Sequence, residues 1–147
     1  MKYSLIIACI SLFTLTNCSL DSVNNDIPQV TKIIWNLKNV TGGIDGVDND
    51  FATGKIVWEF KDATSSLTVS NTNTDTSIED GLDSGNYTFS LTEIGSDTYL
   101  NINSNEVGKI IFTDSGNTLT INQNLKSTGT GTDGFVYMFT KSVIIDN

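Results

Sequence analysis

Carboxylates are the side chains here best equipped for chemistry, and their spacing decides which kind. The run Asp45-Gly46-Val47-Asp48-Asn49-Asp50 offers the carboxylate and carbonyl oxygens that calcium takes from flexible loops. Counted from Asp48, the sixth position is Thr53 where an EF-hand loop needs Gly, although Glu59 falls at the twelfth. No metal site is expected, since acids on exposed loops also serve simply to keep a chain soluble. Glu59 and Glu93 are of the type that glycosidases pair as acid and base. Both fall on strand segments and are expected to face solvent, so no catalytic residue is assigned and no enzyme is expected. There is no His, which removes His-dependent triads and His-ligated zinc or haem. Two cysteines, Cys9 and Cys18, are too few for a four-cysteine zinc site or a disulfide framework. The formal net charge is −9, and all 8 basic residues are Lys. A chain so acidic and without Arg is poorly made for a phosphate backbone, so no nucleic-acid partner is expected.

Aromatic residues are the other candidates. Trp35, Trp58, Tyr87, Phe89, Phe112 and Tyr137 all fall at alternate positions of strand-like segments, in phase with the aliphatic residues around them. Side chains this large either fill a small barrel or line a cavity within it. In the second case these six form the ligand-binding set, with the Tyr87 and Tyr137 hydroxyls orienting a ligand in an apolar pocket. No cofactor is implied. Tyr99 and Phe51 are the aromatics out of phase with this face.

The elements that must hold these residues are strands. Ser, Thr and Asn make up about a third of the chain, and β-branched residues and turn formers abound. Eight candidates follow one another: Lys32–Val40, Lys55–Lys61, Ser66–Asn71, Asn86–Glu93, Thr98–Asn103, Gly108–Thr113, Asn117–Gln123 and Gly134–Lys141. Only the polar stretch Ser77–Leu82 hints at a helix. Alternation puts Ile33, Trp35 and Leu37 on one face of the first strand and Phe135, Tyr137 and Phe139 on one face of the last. Even-numbered connections are tight, whereas Thr41–Gly54, Thr72–Gly85 and Asn124–Asp133 are long. Sorting by parity suits an all-β, eight-stranded up-and-down antiparallel barrel, closed by hairpins at one end and decorated at the other. Ligands are expected to enter at the decorated end, near Phe51, Ile78, Leu82 and Leu125. Ile34, Val57, Val136 and Met138 are apolar but point outward. The chain's own ends, Asp21–Val30 or Val143-Ile144-Ile145, are expected to cover them, the latter because it follows on the same strand; a partner or dimer contact is the alternative.

The N-terminus reads as export. Lys2 precedes the apolar run Leu5-Ile6-Ile7-Ala8-Cys9-Ile10-Ser11-Leu12-Phe13, too short to span a bilayer comfortably. The following Leu15-Thr16-Asn17-Cys18 resembles a bacterial lipobox, which implies lipid on Cys18. Ser19 after it resembles an outer-membrane address. On this reading residues 1–17 are a lipoprotein signal peptide, 18–30 a lipidated flexible tether holding Pro28, and 31–147 the barrel domain.

Together these features resemble the small lipocalin-like lipoproteins of Gram-negative bacteria. The likeness is carried by Trp35-Asn36-Leu37, Gly42-Gly43, Gly54-Lys55-Ile56, Trp58-Glu59-Phe60, Ser84-Gly85-Asn86-Tyr87-Thr88-Phe89 and the segment from Asp133 to Lys141. Ile33 stands where that family usually carries Gly, and Lys141 where it carries an Arg packed across the tryptophan. Lys141 is expected to lie against Trp35. The resemblance implies binding of a small apolar ligand or a partner without catalysis, attachment to the outer membrane through the N-terminal lipid, and a monomer or weak homodimer. A surface carbohydrate-binding or adhesin-like module is the alternative, and outward-facing aromatics would be its mark.

Overall fold

The computed structural model describes residues 30–146; the apolar leader, Cys18 and Pro28 lie outside the described residues. The chain runs through β1 (Val30–Gly42), β2 (Val47–Asp50), β3 (Ile56–Lys61), β4 (Ser66–Asn71), β5 (Gly85–Ile94) and β6 (Asp97–Ile102). It continues through β7 (Asn105–Thr113), β8 (Thr118–Asn122), β9 (Leu125–Lys126), β10 (Gly129–Thr130) and β11 (Phe135–Asp146). Eight strands form an antiparallel meander β1-β3-β4-β5-β6-β7-β8-β11, and β11 pairs back onto β1 to close the barrel. The expected architecture is therefore present. Ser77–Leu82 is not helical, and the helical turns described are the short 3-10 turns Asp62–Thr64 and Asp114–Gly116.

Tight turns at one end have the backbone that tight turns demand. Ser65, Asp114 and Ser115 adopt positive φ at the β3–β4 and β7–β8 corners, and Gly95 does so between β5 and β6. This is the hairpin end. The opposite, loop end differs from expectation at its first connection. Thr41–Gly54 is not a plain loop: β1 and β2 continue as a hairpin, Asn39 opposite Asp50 and Gly42 opposite Val47. A short excursion, residues 51–55, then leads into β3. It is pinned to β1 by the Phe51 N–H donating to the Lys38 carbonyl (2.8 Å) and by the Gly54 N–H donating to Asn36 Oδ1 (3.0 Å). The seventh connection likewise contains the β9–β10 hairpin. It is tied to β7 by Lys126 Nζ on the Glu106 and Val107 carbonyls and by Ser127 on the Glu106 carboxylate. Those Ser127 hydrogen bonds hold the Glu106 pKa below the ordinary carboxylate value.

A register shift in β1, between Leu37 and Asn39 against β11, inverts the alternation. Val40 rather than Asn39 therefore turns inward, fully buried, a core residue that strict alternation misses. The barrel's waist is packed solid by Leu37, Ile56, Leu67, Leu119, Ile121 and Phe139. Asn36 is the one buried polar residue among those described, on the outer face of β1. Its amide donates to Ser142 Oγ (3.0 Å) and the Thr140 carbonyl (3.4 Å).

Beyond the barrel wall, Val30–Ile34 and Ser142–Asp146 pair only with each other, as a two-stranded ribbon projecting from the hairpin end. This corrects the expected cover. Val143, Ile144 and Ile145 stay in β11 and are exposed. They continue a strand because strand pairing with β1 satisfies their backbone groups, which folding back would leave open. The four outward apolar residues are also not one patch. Ile34 pairs with Ser142 and Val136 with Thr41, at opposite ends of β1.

Candidate functional site

The six aromatic candidates do not share one site. Trp35, Phe89 and Phe112 surround an open cup of about 250 Å³ at the hairpin end. Trp58 and Tyr137 line a separate cavity of about 330 Å³ at the loop end. The solid waist lies between, and no side chain lines both. Tyr87 lies outside both: it is half-buried, and its hydroxyl donates to the Asp83 carbonyl (2.9 Å).

Strand phase builds the cup. Trp35 on β1, Phe60 on β3, Phe89 on β5 and Leu119 on β8 turn inward near the last rung of the barrel and make its floor. Phe60 and Phe89 meet edge-on at 5.0 Å, and Trp35 and Phe112 are tilted at 5.8 Å. One step further out, the same phase carries Ile33, Leu91 and Phe112 past the neighbouring strands. They form the rim, 47%, 51% and 58% exposed. Asp62, in the β3–β4 turn, is the single charged side chain on the lining. Such a surface can hold an apolar group by desolvation and little else. Phe60, Ile33, Leu91, Ile110 and Leu119 belong to the cup but were not singled out as ligand residues. Their signal was phase alone, which they share with the ordinary core. The register also places Lys141 directly across from Trp35.

The loop-end cavity is more polar. Tyr137 donates its hydroxyl hydrogen to Glu79 Oε1 (2.8 Å) and accepts from Gln123 Nε2 (3.3 Å). Burial, then the Glu79 contact, pushes the phenol pKa well above its ordinary value, so it stays protonated at any physiological pH. Glu79 Oε1 also accepts the Gly81 N–H at 3.1 Å. Gly81, at φ +88°, lies against the edge of Trp58 in a conformation that suits glycine. Trp58 itself is 2% exposed, and its indole N–H has no partner. Glu79 comes from a connection without periodicity, so nothing in the pattern could have announced it. The mouth expected to admit ligands is narrowed by the chain itself, and Leu82 lines the cavity that remains. Phe51 is buried in the core, and Ile78 and Leu82 pack against it. Leu125 is half-buried.

Phe51 and Tyr99 are both buried, so neither out-of-phase aromatic offers the exposed face a sugar-binding module would need. The acidic loops satisfy themselves. Asn39 Nδ2 bridges Asp48 (2.8 Å) and Asp50 (3.0 Å). Asp75 accepts from the Ser77 hydroxyl and N–H, which lowers its pKa. Among the described residues, no cluster of acidic, His or Cys side chains has the arrangement to hold a metal ion. Glu59 pairs with Lys61 at 3.7 Å, and Glu93 is exposed. Cys18 lies outside the described residues.

No family model matches this chain, and no curated protein or solved structure does either.

Proposed function

We propose that this is an exported, lipid-anchored, lipocalin-like protein that binds a small apolar ligand in the hairpin-end cup and catalyses no reaction. One observation carries the reading. Three large apolar side chains, Ile33, Leu91 and Phe112, stand about half exposed around a concavity that is itself floored by aromatics. A barrel with only a structural task gains nothing from holding a phenylalanine in water against the edge of a tryptophan; a ligand that covers it does. The anchor rests on the lipobox-like Leu15-Thr16-Asn17-Cys18. A monomer or weak homodimer in the cell envelope, at the outer membrane, follows from the same resemblance.

The test is displacement of a neutral fluorescent naphthylamine probe from the purified protein by fatty acids. Phe112→Ser removes an exposed ring, so the fold should survive. The affinity should fall roughly tenfold, the worth of burying such a side chain. Tyr137→Phe, in the other cavity, should bind as the parent does. Unchanged affinity in Phe112→Ser, or an equal loss in Tyr137→Phe, would remove the cup from the function.

A further inference from the structure

We infer that the hairpin end seats on a lipid bilayer and that the cup takes an acyl chain of a membrane lipid. This deepens the reading above and rests on it for the anchor.

Three observations converge. The first is the distribution of exposed apolar side chains. Among the large exposed apolar residues described, Ile33, Leu91, Ile94, Phe112, Val143 and Ile145 lie at the hairpin end or on the ribbon beyond it, Ile44 lies at the loop end and Met138 on the outer barrel wall. The register sets Ile33 opposite Val143, so the ribbon's inner face continues the rim of the cup. An apolar ring around an apolar opening suits the headgroup–acyl boundary, where both are desolvated together. The second is charge. Nine carboxylates crowd the loop end, in the runs 45–50 and 75–83 with Glu106 and Asp133, against Lys38, Lys55 and Lys126. Toward the hairpin end Lys32, Lys61, Lys109 and Lys141 stand among Glu59, Asp62, Glu93, Asp97, Asp114 and Asp146, so an anionic surface would repel the first end more strongly than the second. The third is chain direction. β1 begins at the hairpin end, and the stretch from Cys18 to Val30 can reach at most about 40 Å when fully extended. Lipid on Cys18 therefore tethers the barrel by this end. At about 250 Å³ the cup is small for a ligand site. It suits one chain segment rather than a whole lipid.

Trp35 and Trp58 are cross-strand partners whose rings line opposite cavities, Trp35 the cup and Trp58 the loop-end cavity. Full chain purified from membranes is reconstituted into phosphatidylcholine vesicles with brominated acyl chains, which quench nearby indoles. Trp58→Phe leaves Trp35 as reporter, and Trp35→Phe leaves Trp58. Trp35 should be quenched several-fold more than Trp58. The pair Leu91→Ser with Phe112→Ser should still float with vesicles but lose that excess. Soluble bromoundecanoic acid is the second arm. Quenching of Trp35 by the acid but not by vesicles overturns the seating and leaves the ligand reading intact. Quenching by neither, in a chain that floats, overturns both while keeping the anchor. A chain that does not float overturns anchor and seating. Quenching that appears only once residues 20–27 are deleted gives the cup to that segment and overturns the proposal too.

Discussion

Gly108 shows how much one residue can settle. A Cβ there would collide with the Asn122 carbonyl oxygen and come within 2.9 Å of Gln123 Cα, both backbone atoms of the paired segment. Backbone cannot swing aside as a long side chain can. Gly108→Ala should therefore destabilise the barrel by roughly 1–3 kcal/mol, an overpacking cost. Chemical denaturation should show a lower midpoint with little change in slope; an unshifted midpoint would mean that β7 and β8 can part locally. Sequence reading placed Gly108 as the first residue of a strand. It could not show that the position is closed to any side chain, because that depends on a register shift beside it, Leu100 opposite Gly108 and Asn101 opposite Glu106. The same limit applies to Tyr137. Its inward phase was legible, but its partner Glu79 lies far off in sequence and meets it only when the third connection folds into the barrel mouth.

Among the elements, β11 departs furthest from expectation. Its pattern ends the strand at Lys141, yet it continues to Asp146 because β1 supplies a partner from Val30 onward. The consequence reverses an expected sign. Were Val143-Ile144-Ile145 a cover, removing them would expose apolar surface. They are themselves exposed, so truncation after Ser142 should lower binding of a hydrophobic dye and leave Val30–Ile33 without a strand partner. Amide exchange should quicken at Val30–Ile33 and stay slow in β3 through β8. Increased dye binding by the truncated chain would restore the covering role. Most other strand bounds were legible to within about two residues, because each buries one face and period-two alternation records it. The bulge in β1 was not legible: one inserted residue flips the phase without leaving a mark in the composition.

For the whole molecule, polarity is the governing property. The barrel has an acidic end whose loops fold partly into its mouth around a polar cavity, and an opposite end that holds the apolar cup, where β1 begins. Cys18→Ser should shift most of the protein from the membrane fraction to the soluble one. Acyl chains supply stable attachment, while a rim of a few side chains gives only reversible binding. Fractionation of cells carrying the variant is the check, and parental retention in the membranes would take the lipid away from Cys18.

What the sequence determined by itself was whatever repeats at short range. Alternation set the strands and their inward faces, glycine and polar clusters set the hairpins, and the parity of connection lengths set the meander that closes into a barrel. The proposed export and lipid signal, Lys2, the apolar run and Leu15-Thr16-Asn17-Cys18, is equally local and is read from the sequence alone, since it lies outside the described residues. What only tertiary structure decided was which inward side chains are core and which line a cavity. Trp35, Trp58 and Phe139 have the same type and phase, yet one floors a cup, one lines the opposite cavity and one fills the waist. Trp35 and Trp58 even share a rung as cross-strand partners, so the difference is what the neighbouring strands supply around each ring. Tertiary structure also showed that both ends are hollow. Loop length pointed to the decorated end as the open one; its loops fold inward and bury Phe51 with Ile78 and Leu82 against it but leave a polar cavity there, while the hairpin end holds the apolar cup. The hairpin-end turns, of two to four residues, carry too few side chains to close a mouth.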